Sequence, residues 1–321
     1  LPFFMLLFWK VLSTLQILAL MLEIGSSFFE NTDGSWSVLG VARFFIFHKK
    51  FHFEETDSVT EAFFIICCIA VLANYLFYVA TVIGTKLQIS GPCVAAVGNR
   101  FYMILYQYVL FLPIHMFMME VIETCRNKNI NMFGSTSNTL FMIVGAIVAI
   151  LNFIGGLINT KCYSPLYAQQ TYCKRNASLA IADLLFKAGA GTLIVTIPSS
   201  EPAKWILICF TQVYIVIIHT IYHYQLPFFQ IKLLEAYCVL LGGRVCFGVV
   251  MFFVAIFDEF WRVQLPDLPL AALVLGLPFA IAGQFHLMWR TLMNTATFDE
   301  RNFKSENDVF IHLLGLRYLI K

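Results

Sequence analysis

The sequence predicts an all-α fold, a polytopic bundle of about eight transmembrane helices accompanied by interfacial amphipathic helices. Three observations lead to this prediction. Hydrophobic residues make up 60% of the 321 residues and charged residues only 12%, whereas a soluble domain has roughly half and a quarter. Eight apolar stretches are long enough to cross the ~30 Å hydrocarbon core of a bilayer. No stretch shows the sustained polar and apolar alternation of a membrane β-barrel.

The eight predicted spans follow one another along most of the chain. Each has the length of about 20 mostly apolar residues that a transmembrane helix needs, and the fifth is the least apolar. They cover residues 3–22, 62–84, 101–121, 140–158, 177–197, 205–222, 233–257 and 270–288.

Two shorter segments are predicted to be amphipathic. Residues 35–47 carry aromatic anchors with cations at one edge, which is typical of a helix that lies in the interface or re-enters the membrane. In residues 308–320 the apolar side chains recur at helical spacing, which indicates a helix along the membrane surface or under the bundle. The first helix of a following soluble domain is the alternative. The predicted organisation is therefore a transmembrane domain, residues 1–300, and an amphipathic C-terminal helix, residues 301–321.

The distribution of cations predicts an orientation. In an eight-span topology, more loop Lys and Arg residues fall on the side of the C-terminus than on the opposite side. The positive-inside rule places that side in the cytosol. Both termini are therefore expected in the cytosol, and a plasma or ciliary membrane is expected rather than the membrane of an organelle. The sequence begins with Leu1 instead of Met, so it neither supports nor excludes a preceding signal peptide.

The charge pattern excludes nucleic-acid binding. The formal net charge is +2, and no cluster of Lys and Arg is larger than a pair. A nucleic-acid-binding surface has instead a basic patch or stripe. The partners expected are membrane lipids and other membrane proteins, or further copies of this chain.

No arrangement of residues indicates catalysis or a cofactor. The sequence has no HExxH, no paired ExxH, no GxSxG and no phosphate-binding glycine loop. His219 and His223 lie four residues apart at the end of the sixth span, a spacing that suits two metal ligands or one haem ligand with a neighbour. The aromatic run at 214–224 is more typical of a belt at the membrane interface, which we favour. We therefore expect no enzyme activity, no catalytic residue, no metal and no cofactor.

The nine cysteines are not read as a disulfide framework. Cys162 and Cys173 share one loop and can pair, although the predicted orientation places that loop in the reducing cytosol. Five others fall inside predicted spans, where a thiol packs as a small apolar group. These are Cys67, Cys68, Cys209, Cys238 and Cys246.

Ionisable residues at membrane depth are the clearest functional signal. Each costs about 2.5 to 3.5 kcal/mol on insertion scales and usually faces a partner or a cavity. Arg244 lies near the midpoint of the seventh span, after Gly242 and Gly243, which allow another helix to approach closely. Asp183 and Lys187 lie four residues apart in the fifth span and can pair along one helix face. This polar nucleus is either a structural salt bridge between the fifth and seventh helices, which we favour, or part of a pathway or switch.

The remaining polar residues and prolines of the spans receive simpler interpretations. Lys10, Glu61 and Glu120 lie near enough to span ends for their charges to reach the interface. Pro113 and Pro278 fall inside spans and predict kinks. Scattered Asn, Gln and Thr residues form no evident string through the bilayer, whereas a transport pathway normally requires one.

The order of several short phrases resembles a known family. These phrases are "NYLFYVA" at 74–80, "LPIHMFMMEVIETC" at 112–125, "LLFKAG" at 184–189, "HYQLPFF" at 223–229 and "DVFIHLLGLRYLIK" at 308–321. They resemble the membrane region of the tiny macrocysts (TmcB-like) family, multi-pass proteins of ciliates and other protists. The resemblance extends over nearly the whole chain. In that family a cytosolic PAS-type sensory domain often follows the membrane region, and these 321 residues contain no counterpart of it.

The resemblance implies a membrane sensor or signalling anchor and supplies no catalytic residue. We therefore expect the integral-membrane module of a sensory or signalling protein, without catalytic activity. An ion channel or transporter subunit is the first alternative, in which Arg244 and an acidic partner line a hydrated path. A structural subunit of a larger membrane complex, whose apolar helices face other proteins, is the second.

Overall fold

The structure, a computed structural model, describes residues 3–24, 46, 58–86, 101–127, 138–162, 177–197, 201–225, 231–261 and 268–296. Within these ranges the backbone is helical and contains no strand, and eight helices are long and apolar enough to cross a membrane. The chain is therefore an integral, multi-pass membrane protein with an all-α fold, as the sequence predicts. The C-terminal segment 301–321 and all of segment 35–47 except Ile46 lie outside the described residues.

Each helix overlaps one predicted span. Most helices extend beyond the apolar stretch at one or both ends, because polar residues there continue the helical backbone. The third span begins with residues 101–105 and a π-helical turn, Tyr106–Leu110, which leads directly into α3. The helices are α1 Phe3–Ile24, α2 Ser58–Lys86, α3 Phe111–Asn127, α4 Asn138–Cys162, α5 Ser178–Thr196, α6 Glu201–Gln225, α7 Ile231–Ile256 and α8 Leu268–Ala296.

Prolines explain several helix boundaries. Pro202 and Pro269 are the second residues of α6 and α8, where the N–H that proline lacks would have no acceptor within the helix. Helix α5 ends before Ile197, which has an extended backbone. Pro198 follows it, and the residue before a proline is pushed out of the helical region by the proline ring.

The buried apolar side chains form two clusters. The larger cluster joins α1, α3, α5, α6, α7 and α8 and includes Leu20, Phe186, Ile218 and Leu241. The smaller cluster joins α2, α3 and α4 around Phe117. The polar residues discussed below lie among the helices of the larger cluster and extend towards the smaller one.

Helices α7 and α8 approach closely at the glycine that precedes the buried arginine by two positions. A Cβ atom on Gly242 would lie 3.0 Å from the Cα of Ile281 in α8. Only a glycine allows the two backbones to pack at this distance. The close approach predicted at this position is present, and it fixes α8 against the middle of α7.

Helices α2 and α8 present apolar faces to the outside. The exposed side chains include Ile65, Ile69 and Leu72 in α2, and Val274 and Phe279 in α8. Only 11% of the apolar span of α8 is buried, against 61% for α1. Soluble monomers rarely expose large contiguous apolar patches, so these faces are suited to contact with lipid.

Candidate functional site

The structure brings Arg244 and Asp183 together in the protein core. Arg244 in α7 has no exposed surface. Its guanidinium donates a hydrogen bond of 2.8 Å to Oδ1 of Asp183 in α5. The two charges therefore compensate each other, and removal of either one would leave a buried charge without its partner.

Three hydroxyl groups form hydrogen bonds with this ion pair, while Nε of Arg244 has no hydrogen-bond partner among the described residues. Tyr214 of α6 donates to Oδ1 of Asp183 at 2.8 Å, and Tyr237 of α7 donates to Oδ2 at 3.3 Å. Arg244 donates to the oxygens of both tyrosines, at 3.0 and 3.1 Å, and to Thr14 of α1 at 2.8 Å. These five residues, called the Arg244 network below, connect α1, α5, α6 and α7.

Lys10 of α1 lies beside the network and not at the interface. Its side chain is buried, and Nζ lies 4.8 Å from the centre of the Tyr108 ring and 5.6 Å from that of Tyr237. The prediction that this cation reaches the interface is therefore wrong. The negative faces of the aromatic rings offset part of the cost of burying the charge.

Lys187 has a different partner from the one predicted by its spacing. Its Nζ donates to Ser13 Oγ at 3.0 Å and to Gln16 Oε1 at 2.7 Å, both in α1. Asp183, one turn earlier in α5, receives its hydrogen bonds from the Arg244 network. All three residues of the predicted polar nucleus thus face the same core, and α1 supplies the acceptors that sequence reasoning missed.

Gln16 also donates a hydrogen bond to the backbone of the third span, next to its π-helical turn. Pro113 has no N–H to donate to the carbonyl of Val109, which lies four residues earlier at the end of the π turn. Nε2 of Gln16 donates to this carbonyl at 2.9 Å. One amide of α1 therefore binds both the lysine of α5 and the freed backbone of the third span. Single π turns of this kind occur frequently at functional sites.

A second group of buried polar side chains connects the third span with α2 and α4. Gln107 donates to Thr160 Oγ1 at 2.9 Å, and Asn159 donates to Asn74 Oδ1 at 2.8 Å. Gln107 also lines a cavity next to Lys187. Some of the amides and hydroxyls that look scattered in the sequence are therefore neighbours of the charged residues in the fold.

The cavity next to Lys187 is small, and apolar groups contribute more of its lining surface than polar groups do. The polar side chains in the lining are those of Ser13, Gln107, Asp183 and Lys187, and the other lining residues are Tyr108, Ala180 and Leu184. The cavity offers about 10 Å³ to the centre of a water-sized sphere. This is close to the minimum that one water molecule requires.

The histidine pair lies near the end of α6. The rings of His219 and His223 have centres 4.5 Å apart, and Nε2 of His223 lies 2.6 Å from Oε1 of Gln284 in α8. Among the residues that the structure describes, no group of three or more His, Cys, Asp and Glu side chains is placed to hold a metal ion. The partner that the fold provides for this pair is the side-chain amide of Gln284.

The tyrosines of the predicted aromatic belt differ in exposure. Tyr224 is 85% exposed, as an interfacial residue would be. Tyr222 is buried and donates to the carbonyl of Leu234, while Tyr214 belongs to the Arg244 network. The belt interpretation is thus wrong for Tyr214 and Tyr222, because their hydroxyl groups have acceptors within the core.

The five cysteines predicted inside spans all lie in helices. Three are buried, Cys68 is half-buried and Cys209 is exposed. As free thiols in apolar surroundings they pack as small hydrophobic groups. The alternative of a disulfide between Cys162 and Cys173 involves a residue, Cys173, that lies outside the described ranges.

Comparison of the sequence with known protein families, with curated proteins and with solved structures gave no match. The resemblance to the TmcB-like family therefore stays a prediction. In the part of the chain that the structure describes, the hydrogen bonds of one buried ion pair connect four of the eight membrane-length helices.

Proposed function

We propose that the chain is the membrane module of a sensory or signalling protein and that it acts without catalysis. The Arg244 network is the observation that carries this proposal, because it connects α1, α5, α6 and α7 through buried hydrogen bonds. Burying an ion pair costs several kcal/mol per charge, and apolar residues often stabilise a fold equally well. Such a network suits an element that selects one arrangement of helices and releases it in response to a signal.

The charges of the network face one another and not an open path. Arg244 has no exposed surface, and its two terminal nitrogens donate to Asp183, Tyr214, Tyr237 and Thr14. The cavity beside the network has space for about one water molecule. A conducting path presents its charged groups to permeating ions. The arrangement therefore supports a contact between helices, broken and remade during signalling.

The proposal includes a cellular setting and partners. The family resemblance supports a protist protein that works with a PAS-type sensory domain, and the loop cations support cytosolic termini. A plasma or ciliary membrane is the proposed location. The apolar outer faces of α2 and α8 provide surface for membrane lipids and for other membrane proteins or further copies of the chain.

An ion channel or transporter subunit is the second candidate. The observation that favours it is the gathering of three cations, Lys10, Lys187 and Arg244, around one carboxylate, Asp183, in the described core. Excess positive charge near a cavity suits the passage of an anion. A structural subunit of a larger complex is the third candidate, favoured by the largely unburied span of α8.

Two measurements test the proposal. The first is the mass of the native polypeptide, isolated with an antibody against the described chain. The second is ion flux into liposomes that contain the purified protein, its Arg244→Leu variant or an Arg126→Leu variant. Arg126 is the matched control, because its side chain is 68% exposed and lies 3.7 Å from Glu123 on the same helix.

We expect a native polypeptide that continues into a soluble region, and liposomes that show no flux above protein-free liposomes. Flux through the unaltered protein that is retained in Arg126→Leu, and lost in Arg244→Leu under conditions where that variant keeps its fold, would establish the channel or transporter instead. Three results together would establish the structural subunit. They are a native polypeptide without a soluble region, liposomes without flux, and copurification with unlike membrane chains.

A further inference from the structure

The cavity next to Lys187 is lined by buried residues from three parts of the fold. Ser13 comes from α1, Gln107 and Tyr108 come from the π turn, and Ala180, Asp183, Leu184 and Lys187 come from α5. Each of these residues is at most 9% exposed. Such a space is either dry and apolar or filled by a molecule that satisfies its polar groups.

The lysine that lines this cavity has hydrogen-bonding capacity left over. An ammonium group has three N–H donors. Those of Lys187 reach Ser13 and Gln16, and the third finds no acceptor among the described residues. Asp183, on the same face one turn earlier, also lines the cavity. A buried donor without an acceptor costs about 1 to 3 kcal/mol, and more when it is charged.

We propose that the cavity is a binding site for one water molecule, which bridges the ammonium of Lys187 and the carboxylate of Asp183. The water accepts the third N–H of Lys187 and donates to an oxygen of Asp183, while Ser13 and Gln107 supply further polar contacts. It thereby joins the two charges that the sequence spacing pairs, although their direct hydrogen bonds go to other helices. The inference does not depend on whether the chain signals or conducts.

Water fits this site better than an ion does. The volume corresponds to about one water and leaves no room for the shell of a larger ligand. The lining contains one cation and one carboxylate, so an ion of either sign would be repelled by one of them. Water has both donors and acceptors and contacts both charges favourably.

The cavity lies towards one end of the third span and of α5. If consecutive helices cross in alternating directions, the third span begins where α4 ends and α5 begins. Gln107 donates to Thr160, which lies two residues before the end of α4, and Ala180 is the third residue of α5. The site therefore lies within a few turns of that end of the bundle.

The sign of a stability change tests the proposal. Ala180→Val fills the cavity with two additional methyl carbons and displaces the water. We expect the Tm of the protein in lipid nanodiscs to fall by about 2 to 4 °C, the shift that corresponds to about one lost buried hydrogen bond. The same substitution in a Lys187→Met background should cost clearly less, because the main donor to the water is already absent.

Several results would overturn the proposal. A rise in Tm for Ala180→Val means that the cavity is dry. An equal loss of Tm in both backgrounds means that valine merely overpacks the site. A Tm that falls when chloride is replaced by gluconate means that an anion occupies it.

A cryo-electron microscopy map of the unaltered protein, at a resolution that shows ordered water, provides the independent measurement. Density within hydrogen-bonding distance of both Lys187 Nζ and Asp183 supports the water, and an empty cavity refutes it.

Discussion

Replacing Arg244 by leucine should destabilise the protein strongly, because it leaves the carboxylate of Asp183 buried without its cation. The variant loses the 2.8 Å ion pair and the bonds to Tyr214, Tyr237 and Thr14. Breaking a buried pair on one side costs about 3 to 5 kcal/mol. This corresponds to a decrease of roughly two to almost four orders of magnitude in the folding equilibrium constant.

The free energy of unfolding, measured by titration with a denaturing detergent from mixed micelles, gives this number directly. Arg126→Leu is the control for the loss of an arginine as such. Its ion pair is largely exposed, so we expect a change of at most about 1 kcal/mol. The comparison of the two variants separates the effect of losing a buried arginine from the effect of losing an exposed one.

A double-mutant cycle makes the argument sharper. In Arg244→Leu with Asp183→Asn the amide oxygen still accepts from Tyr214, and the amide N–H can donate to the oxygen of Tyr237. We therefore expect the double variant to recover at least about half of the loss caused by the single change. If the two changes add without coupling, or if Arg244→Leu costs no more than Arg126→Leu, the assignment of Arg244 and Asp183 as a compensated pair is refuted.

Two further substitutions test the contacts around the network. Gln16→Leu should cost about 2 to 3 kcal/mol of unfolding free energy, because Lys187 loses an acceptor and a backbone carbonyl of the third span loses its donor. Gly242→Ala should lower the Tm and separate α7 from α8, because its Cβ would lie 3.0 Å from the Cα of Ile281. Gly283→Ala should leave the Tm unchanged or raise it, because a Cβ there meets nothing within 4 Å and alanine favours a helix by about 1 kcal/mol.

The controls for these substitutions are matched in kind. Gly242 and Gly283 are both helical glycines in the α7 and α8 pair, so equal effects on Tm would contradict the close packing described for α7. For Gln16, a change to glutamate keeps an acceptor for the lysine and loses the donor to the carbonyl. A loss of stability in the leucine variant that glutamate does not partly restore would contradict the role assigned to this side chain.

The positions of the helices could be predicted from sequence because the bilayer sets one length scale. A run of about 20 apolar residues is a sufficient signal, and each of the eight runs is a helix in the structure. The charged residues of the core could also be identified, since Arg244, Asp183 and Lys187 are conspicuous at membrane depth. That Arg244 pairs with an acidic residue could be expected from the attraction of opposite charges alone.

The partners of these charges could not be predicted, because they lie far apart in the chain. Lys187 binds two residues of α1, Gln16 and Ser13, which are 171 and 174 positions away in the sequence. Ser13 and Gln16 are uncharged, and an isolated polar residue in a span does not reveal what it faces. Tyr214 lies in an aromatic run that has the composition of an interfacial belt, so only its position in the fold shows that its hydroxyl reaches Asp183.

The contact between Gln16 and the carbonyl of Val109 has a consequence for biogenesis. In hydrocarbon an unpaired backbone carbonyl costs several kcal/mol, and Pro113 removes the local donor. Helix α1, which is synthesised before the third span, therefore supplies the missing donor to that span. We expect α1 to stay beside the translocon until the third span enters the bilayer, so that the segment from α1 to α3 is inserted as one assembled unit and not helix by helix.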